Sequence, residues 1–266
     1  MKLSSVLSSS LVVSSIVVGA SLAVANPASA ASITTTTNSY EWQPGASGPI
    51  SVNNNIGTHK QIQTSYTSET QGSQTLSETF TWNSVFDKNN GNLPDGGWLV
   101  ISDGPNPKGQ EKEFAIFYLD GVNNKISAYA YNGQNNSNSF KNNPFLGSWD
   151  NALNIVDNGN QRSMSFSLDV AGINSRTDID SAWKGVKFGD NVGIWFHGAK
   201  NVNATYNANG SLKSFSSTAG YFDTGALATT SMTSTKDVPE PITGTIAAVS
   251  ALAMGSRLKK RTRKQK

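Results

Sequence analysis

The sequence predicts an all-β protein, an antiparallel two-sheet sandwich of jelly-roll type, on three observations. Apolar residues alternate with period two: Met164, Phe166, Leu168 and Val170 face one way and Ser163, Ser165, Ser167 and Asp169 the other. That is the pattern of a half-buried antiparallel strand. Turn chemistry separates such runs at Asp95-Gly96, Asp103-Gly104, Asp120-Gly121, Asn132-Gly133, Asp157-Asn158-Gly159, Gly189-Asp190-Asn191 and Asn209-Gly210, where Gly and Asn supply the positive φ that tight turns need. No stretch of the body sustains a helical period over about twelve residues, which leaves the sheets to cover one another.

In order along the chain, residues 1–30 read as a secretory signal peptide. Lys2 gives the positive start, Leu11 to Ala25 the apolar run, and Ala28-Ser29-Ala30 the small-residue cleavage site, so the mature chain begins at Ala31. Residues 31–39 are Ser/Thr-rich and carry too little apolar content to pack, which predicts a flexible leader. Residues 40–227 form the sandwich domain. Trp98 to Ile101 and Phe114 to Leu119 are continuous apolar runs, expected as fully buried central strands. Ile126, Ala128 and Ala130, and Val192, Ile194 and Phe196, alternate. Asn209-Gly210 joins Ala204 to Tyr206 and Leu212 to Phe215 as the clearest hairpin. Asp178 to Trp183 suits one capped helical turn, and Tyr221 and Phe222 suggest a last strand before a linker at 228–237.

Residues 238–266 form a three-part tail: Val238-Pro239-Glu240-Pro241, a weakly apolar stretch from Ile242 to Gly255, and a basic cluster of Arg257, Lys259, Lys260, Arg261, Arg263, Lys264 and Lys266. The paired prolines hold the backbone extended, a stiff peptide that a processing enzyme can grip. As a helix the apolar stretch spans roughly 21 Å against about 30 Å of hydrocarbon, so it crosses a bilayer only with snorkelling Lys/Arg and local thinning. The basic run then stops export on the cytoplasmic side.

Charge follows the same division. The isoelectric point of about 9.0 suggests a nucleic-acid partner until the charge is counted by segment. Between Ala31 and Asp237 there are 13 basic and 17 acidic residues. The body is mildly acidic, which excludes a basic nucleic-acid-binding domain; the basic excess belongs to the tail. Zero cysteines exclude disulfides, Cys-ligated zinc, iron–sulfur clusters and thiol nucleophiles, and the two histidines, His59 and His197, are too few for a multi-His metal site.

The tail resembles the PEP-CTERM sorting signal of exported bacterial proteins handled by exosortases, and its basic ending is similar to cyanobacterial members. The resemblance rests on Val238, Pro239, Glu240 and Pro241, with Thr243 two places on, the hydrophobic segment and the Lys/Arg cluster. It implies membrane retention, then recognition and cleavage near Pro-Glu-Pro by a membrane-embedded Cys transpeptidase, with the mature protein at the cell surface or associated with exopolysaccharide. The hydrophobic stretch departs from the pattern in being short and diluted by Gly244, Thr245 and Ser250. The resemblance covers about 29 of the 266 residues and leaves the sorted domain unassigned.

Catalytic motifs of the nucleophile-elbow, zincin and phosphate-loop types are absent. Glycoside hydrolysis needs two carboxylates, and Glu111/Glu113 and Asp178/Asp180 are the available i, i+2 pairs. The first pair reads better as a solvated lead-in to a buried strand and the second as flanks of a helix cap. Asp87-Lys88-Asn89-Asn90-Gly91-Asn92 has oxygen ligands at alternate positions but lacks the downstream acidic ligand of a calcium loop. Asn occurs 28 times, so such spacing arises by chance. Trp195 and His197 share the face opposite Ile194 and Phe196 and are the candidate glycan contact. The expectation is a non-enzymatic, exported envelope or matrix protein without metal or cofactor, its partners the membrane and an exosortase-like enzyme, with a polysaccharide as a further candidate. A carbohydrate-binding module is the alternative, and a glycoside-active enzyme a weaker one.

Overall fold

Two antiparallel sheets of six strands each pack face to face in the computed structural model, and a two-stranded hairpin covers the outer side of the second. The structure describes residues 30–40, 57–88, 91–103, 115–130, 137–179, 183, 192–217, 224–227 and 230–238. In chain order the strands are β1 (Ala31–Tyr40), β2 (Thr58–Gln71), β3 (Gln74–Asp87), β4 (Gly96–Asp103), β5 (Ala115–Asp120), β6 (Lys125–Ala130), β7 (Phe145–Asp150), β8 (Asn154–Asn158) and β9 (Gln161–Asp169). A one-turn helix, α1 (Ala171–Asn174), follows; then come β10 (Val192–Ala199), β11 (Asn203–Tyr206), β12 (Leu212–Ser216), β13 (Thr224–Leu227) and β14 (Thr230–Val238). The first sheet runs β14-β1-β2-β3-β9-β8 and the second β13-β10-β4-β5-β6-β7.

The alternation in β9 is as expected: Met164, Phe166 and Leu168 are buried, and Val170 continues the stripe. Opposite them β3 turns Glu78, Phe80, Trp82, Ser84 and Phe86 inward. Aromatic rings bridge the two sheets, with centroids 5.5 Å apart for Phe80–Phe117, 5.3 Å for Trp82–Phe196 and 5.7 Å for Phe86–Phe196. The offset and tilted geometry suits their quadrupoles. Trp98 to Ile101 and Ala115 to Leu119 are buried on both faces, as continuous apolar runs require; Phe114 lies outside the described residues. Ile126 and Ala128 face this core, but Ser127 and Tyr129 between them are buried too, because the hairpin β11–β12 covers the outer face.

Three expectations are corrected. Residues 31–39 are not a flexible leader: they are most of β1, paired with β2 on one side and with β14 on the other. The 228–237 linker is likewise a strand from Thr230 onward. Low apolar content misleads here because Thr is β-branched and suits a pleated strand. Its hydroxyls also bond across the ladder, as in Thr35–Thr67 at 3.0 Å and Thr37–Ser65 at 3.1 Å. Of the turn expected over Asp178 to Trp183, Asp178 and Ile179 form a bend and residues 180–182 lie outside the described residues; the helical turns among the described residues are α1 and a 3-10 turn at Ser139–Lys141.

The strand order, finally, is not that of a jelly roll, in which Greek-key connections dominate. β1-β2-β3 and β4-β5-β6-β7 are meanders of consecutive strands, each kept within one sheet. The two-residue connection Gly72-Ser73, with Gly72 at φ 59°, forces β2 and β3 to be neighbours.

Candidate functional site

Trp195 and His197 project from the outer face of β10. Directly opposite His197 on β4 is Trp98, and the two rings stack at 4.7 Å and 15°. Trp195 also stacks with His197, at 5.8 Å and 7°. The hairpin closes over this stack: Phe215 meets Trp98 edge-on at 6.2 Å, with Ala204, Leu212, Tyr118, Tyr129 and Phe140 in the same cluster. Trp195 and His197 are each only 5% exposed. They belong to a second hydrophobic core and offer no surface on which a sugar could stack, which corrects their reading as a glycan contact.

Polar pins hold the hairpin down. Asp120, fully buried at the end of β5, accepts hydrogen bonds from Val122 N (3.1 Å), Asn123 N (3.0 Å), Asn123 Nδ2 (2.7 Å) and the Tyr206 hydroxyl (2.7 Å). Four donors replace the water this carboxylate loses on burial. The Leu212 N–H donates to the Tyr129 hydroxyl at 2.6 Å, and Ser127 Oγ to the Gly210 carbonyl at 3.3 Å. Gly210, at φ +84°, takes a left-handed backbone conformation that side chains rarely adopt.

A concave polar site among the described residues lies elsewhere, where α1 crosses the open end of β3. A cleft of about 450 Å³ is lined by Thr75, Glu78, Ala171, Gly172, Asn174 and Ser175. Glu78 occupies an inward-facing position of β3 just past the point where β9 ends, so α1 rather than a strand flanks it. The Val170 N–H donates to the Glu78 carbonyl at 2.9 Å and ties the start of α1 to β3. Glu78 is 8% exposed, and its carboxylate accepts from the Tyr66 hydroxyl and, at 3.0 Å, from Asn174 Nδ2. Burial, then the adjacent Glu78 charge, pushes the Tyr66 phenol well above its ordinary range, so Tyr66 remains a donor at neutral pH. The result is a polar cleft whose one carboxylate is held through both oxygens by Tyr66 and Asn174. Glu78 escaped the sequence reading, although it continues the stripe of Phe80, Trp82 and Phe86; an acidic residue in line with core aromatics is the signal.

The other predicted residues do not assemble into a site. Asp178 is an exposed bend residue gripped by the Arg176 guanidinium at 2.8 and 2.6 Å, while Glu111, Glu113 and Asp180 lie outside the described residues. Asp87 pairs with Lys60 at 2.9 Å and accepts from Gln161, and Asn92 Oδ1 accepts from Lys200, so the ends of that loop are used in structural contacts. Among the described residues no group of three or more His, Asp or Glu could hold a metal ion, and no helix is long and apolar enough to cross a membrane. Ala30 is exposed just ahead of β1, and Val238 closes β14. Ala28, Pro239, Glu240, Pro241 and the basic cluster from Arg257 to Lys266 lie outside the described residues.

No protein-family model, curated protein or solved structure matches this chain.

Proposed function

We propose that this chain is an exported, non-enzymatic β-sandwich protein of the cell envelope or extracellular matrix, held at the membrane by its C-terminal tail and sorted outward through the Val238-Pro239-Glu240-Pro241 motif. One observation carries the reading beyond the sequence. β1 starts at Ala31, immediately after the signal-peptide cleavage site, and β14 ends at Val238, the first residue of the sorting motif. Ala31 and Val238 are partners in the same ladder, so their Cα atoms lie about 5 Å apart. The folded unit therefore spans the interval between the two proposed processing points, with its first and last strand residues neighbours in one ladder. Intact-mass analysis of protein from the native host tests this. The expected mature species starts at Ala31 and lacks Arg257–Lys266; a species that retains the basic cluster sinks the sorting assignment.

A second reading, a glycan-binding module, is favoured by the polar Glu78 cleft. Affinity electrophoresis through polysaccharide gels should show retention that Glu78→Gln abolishes while the melting transition persists. Equal mobility of both proteins in every gel removes this reading.

A further inference from the structure

Sheet edges expose unpaired N–H and C=O groups that template pairing with another chain, and proteins usually blunt them. Among the described residues, three of the four edges of the two six-stranded sheets are blunted. β8 is five residues long and carries Asp157, locked to the Arg162 guanidinium at 2.6 and 2.7 Å. β13 is four residues long. On β7 the Phe145 carbonyl is occupied by Arg176 Nη1 at 2.5 Å, and Asp150 is held by Lys125 at 2.7 Å. β14 is longer than these edges and carries its charges only at its end. It runs for nine residues without proline, pairs with β1 in one uninterrupted register, and is exposed at every position from Ser231 to Asp237. Its two charges, Lys236 and Asp237, cancel, and Met232 is 69% exposed.

We infer that β14 is an interaction edge whose partner is β14 of a second copy of this chain, the two strands pairing antiparallel about a two-fold axis at Ser234. Self-pairing is chosen over a foreign strand because the sequence is complementary to itself in this register. Ser234 faces Ser234, Thr233 faces Thr235, Met232 faces Lys236 and Ser231 faces Asp237. No like charges meet, and the methylene stem of Lys236 covers the exposed Met232 side chain. Residues opposite one another in an antiparallel pair share a face, so Met232, Ser234 and Lys236 line the outer face, where their β1 partners Thr37, Thr35 and Ile33 also lie. Two six-stranded sheets become one of twelve strands, and a two-fold contact closes without filament growth. The inference stands apart from the sorting assignment, since it uses β14 alone.

The test is the mass of the full-length chain in mild detergent by light scattering, for the unsubstituted protein, Ser234→Lys, Ser234→Asp and an equimolar mixture of the two variants. The two-fold register puts each new charge against itself. The unsubstituted chain should have the mass of two chains, each variant that of one, and the mixture should return to two. Ser234 is exposed and outside the core, so both variants should melt within about 2 °C of the parent. An unsubstituted chain of single mass, or a double mass that persists in both charged variants, overturns the inference; the second result would place the association elsewhere, as in the tail.

Discussion

Replacing Tyr206 by Phe removes one hydroxyl and keeps the ring, including its contact with Lys125, whose Nζ lies 4.8 Å from the ring centroid. The lost bond is the 2.7 Å contact to Asp120, a carboxylate with no solvent exposure. A hydrogen bond to a charged group is worth about 1.5–3 kcal/mol net, and the buried carboxylate has no water to recruit in its place. For a domain of this size that corresponds to a drop of roughly 3–12 °C in melting temperature. Asp120→Ala strips the same tie and also orphans Val122 N and Asn123 N, so about 3–5 kcal/mol is expected. The two changes share one bond. The double variant should therefore fall short of additivity by about 1.5–3 kcal/mol in urea titrations followed by tryptophan fluorescence. A Tyr206→Phe loss below about 0.5 kcal/mol, or full additivity, would refute the view that the Asp120 knot fastens the hairpin to the second sheet.

Three further outcomes follow from the same packing. Gly97→Ala should abolish folding: its φ is +145° and a Cβ would sit 2.0 Å from the His197 carbonyl oxygen, backbone against backbone, so soluble, cooperatively melting protein from this variant would contradict the β4–β10 register. Trp195→Ala should cost about 3–5 kcal/mol by opening a cavity in the outer core; retained stability in a denaturation curve would show that the hairpin does not cover it. Burial raises the Tyr129 phenol to about 12. Because the folded value lies above the unfolded value of 10.0, its stabilising contribution is complete below pH 10 and is lost as pH rises toward 12. Phenolate absorbance of Tyr129, assigned by difference against Tyr129→Phe, should appear together with loss of far-ultraviolet dichroism; ionisation near pH 10 with the fold intact would be the contrary result.

Much of the architecture is legible in residues that alternate. Met164, Phe166 and Leu168 against their serines, the unbroken run Trp98 to Ile101, and Asn209-Gly210 between two short strands each report local geometry that a strand or turn imposes on its own residues. The division of charge between an acidic body and a basic tail is likewise complete in the sequence, since it needs only counting. Tertiary structure decided what covers each face and which strands meet. Alternation marked Trp195 and His197 as a face opposite Ile194 and Phe196, but whether that face meets solvent, a ligand or a hairpin depends on where β11 and β12 fold back, and the sealing contact with Phe215 is made across sequence. The polar strands β1 and β14 acquire their order only from each other: their register joins residues about 200 positions apart, and Thr-rich segments show no apolar stripe by which to anticipate it. Glu78 becomes part of a cleft for the same reason, because β9 ends one position before it and α1 supplies the opposite wall. Periodicity records which positions an element turns inward, while the identity of the covering partner is set by long-range pairing that no local pattern encodes.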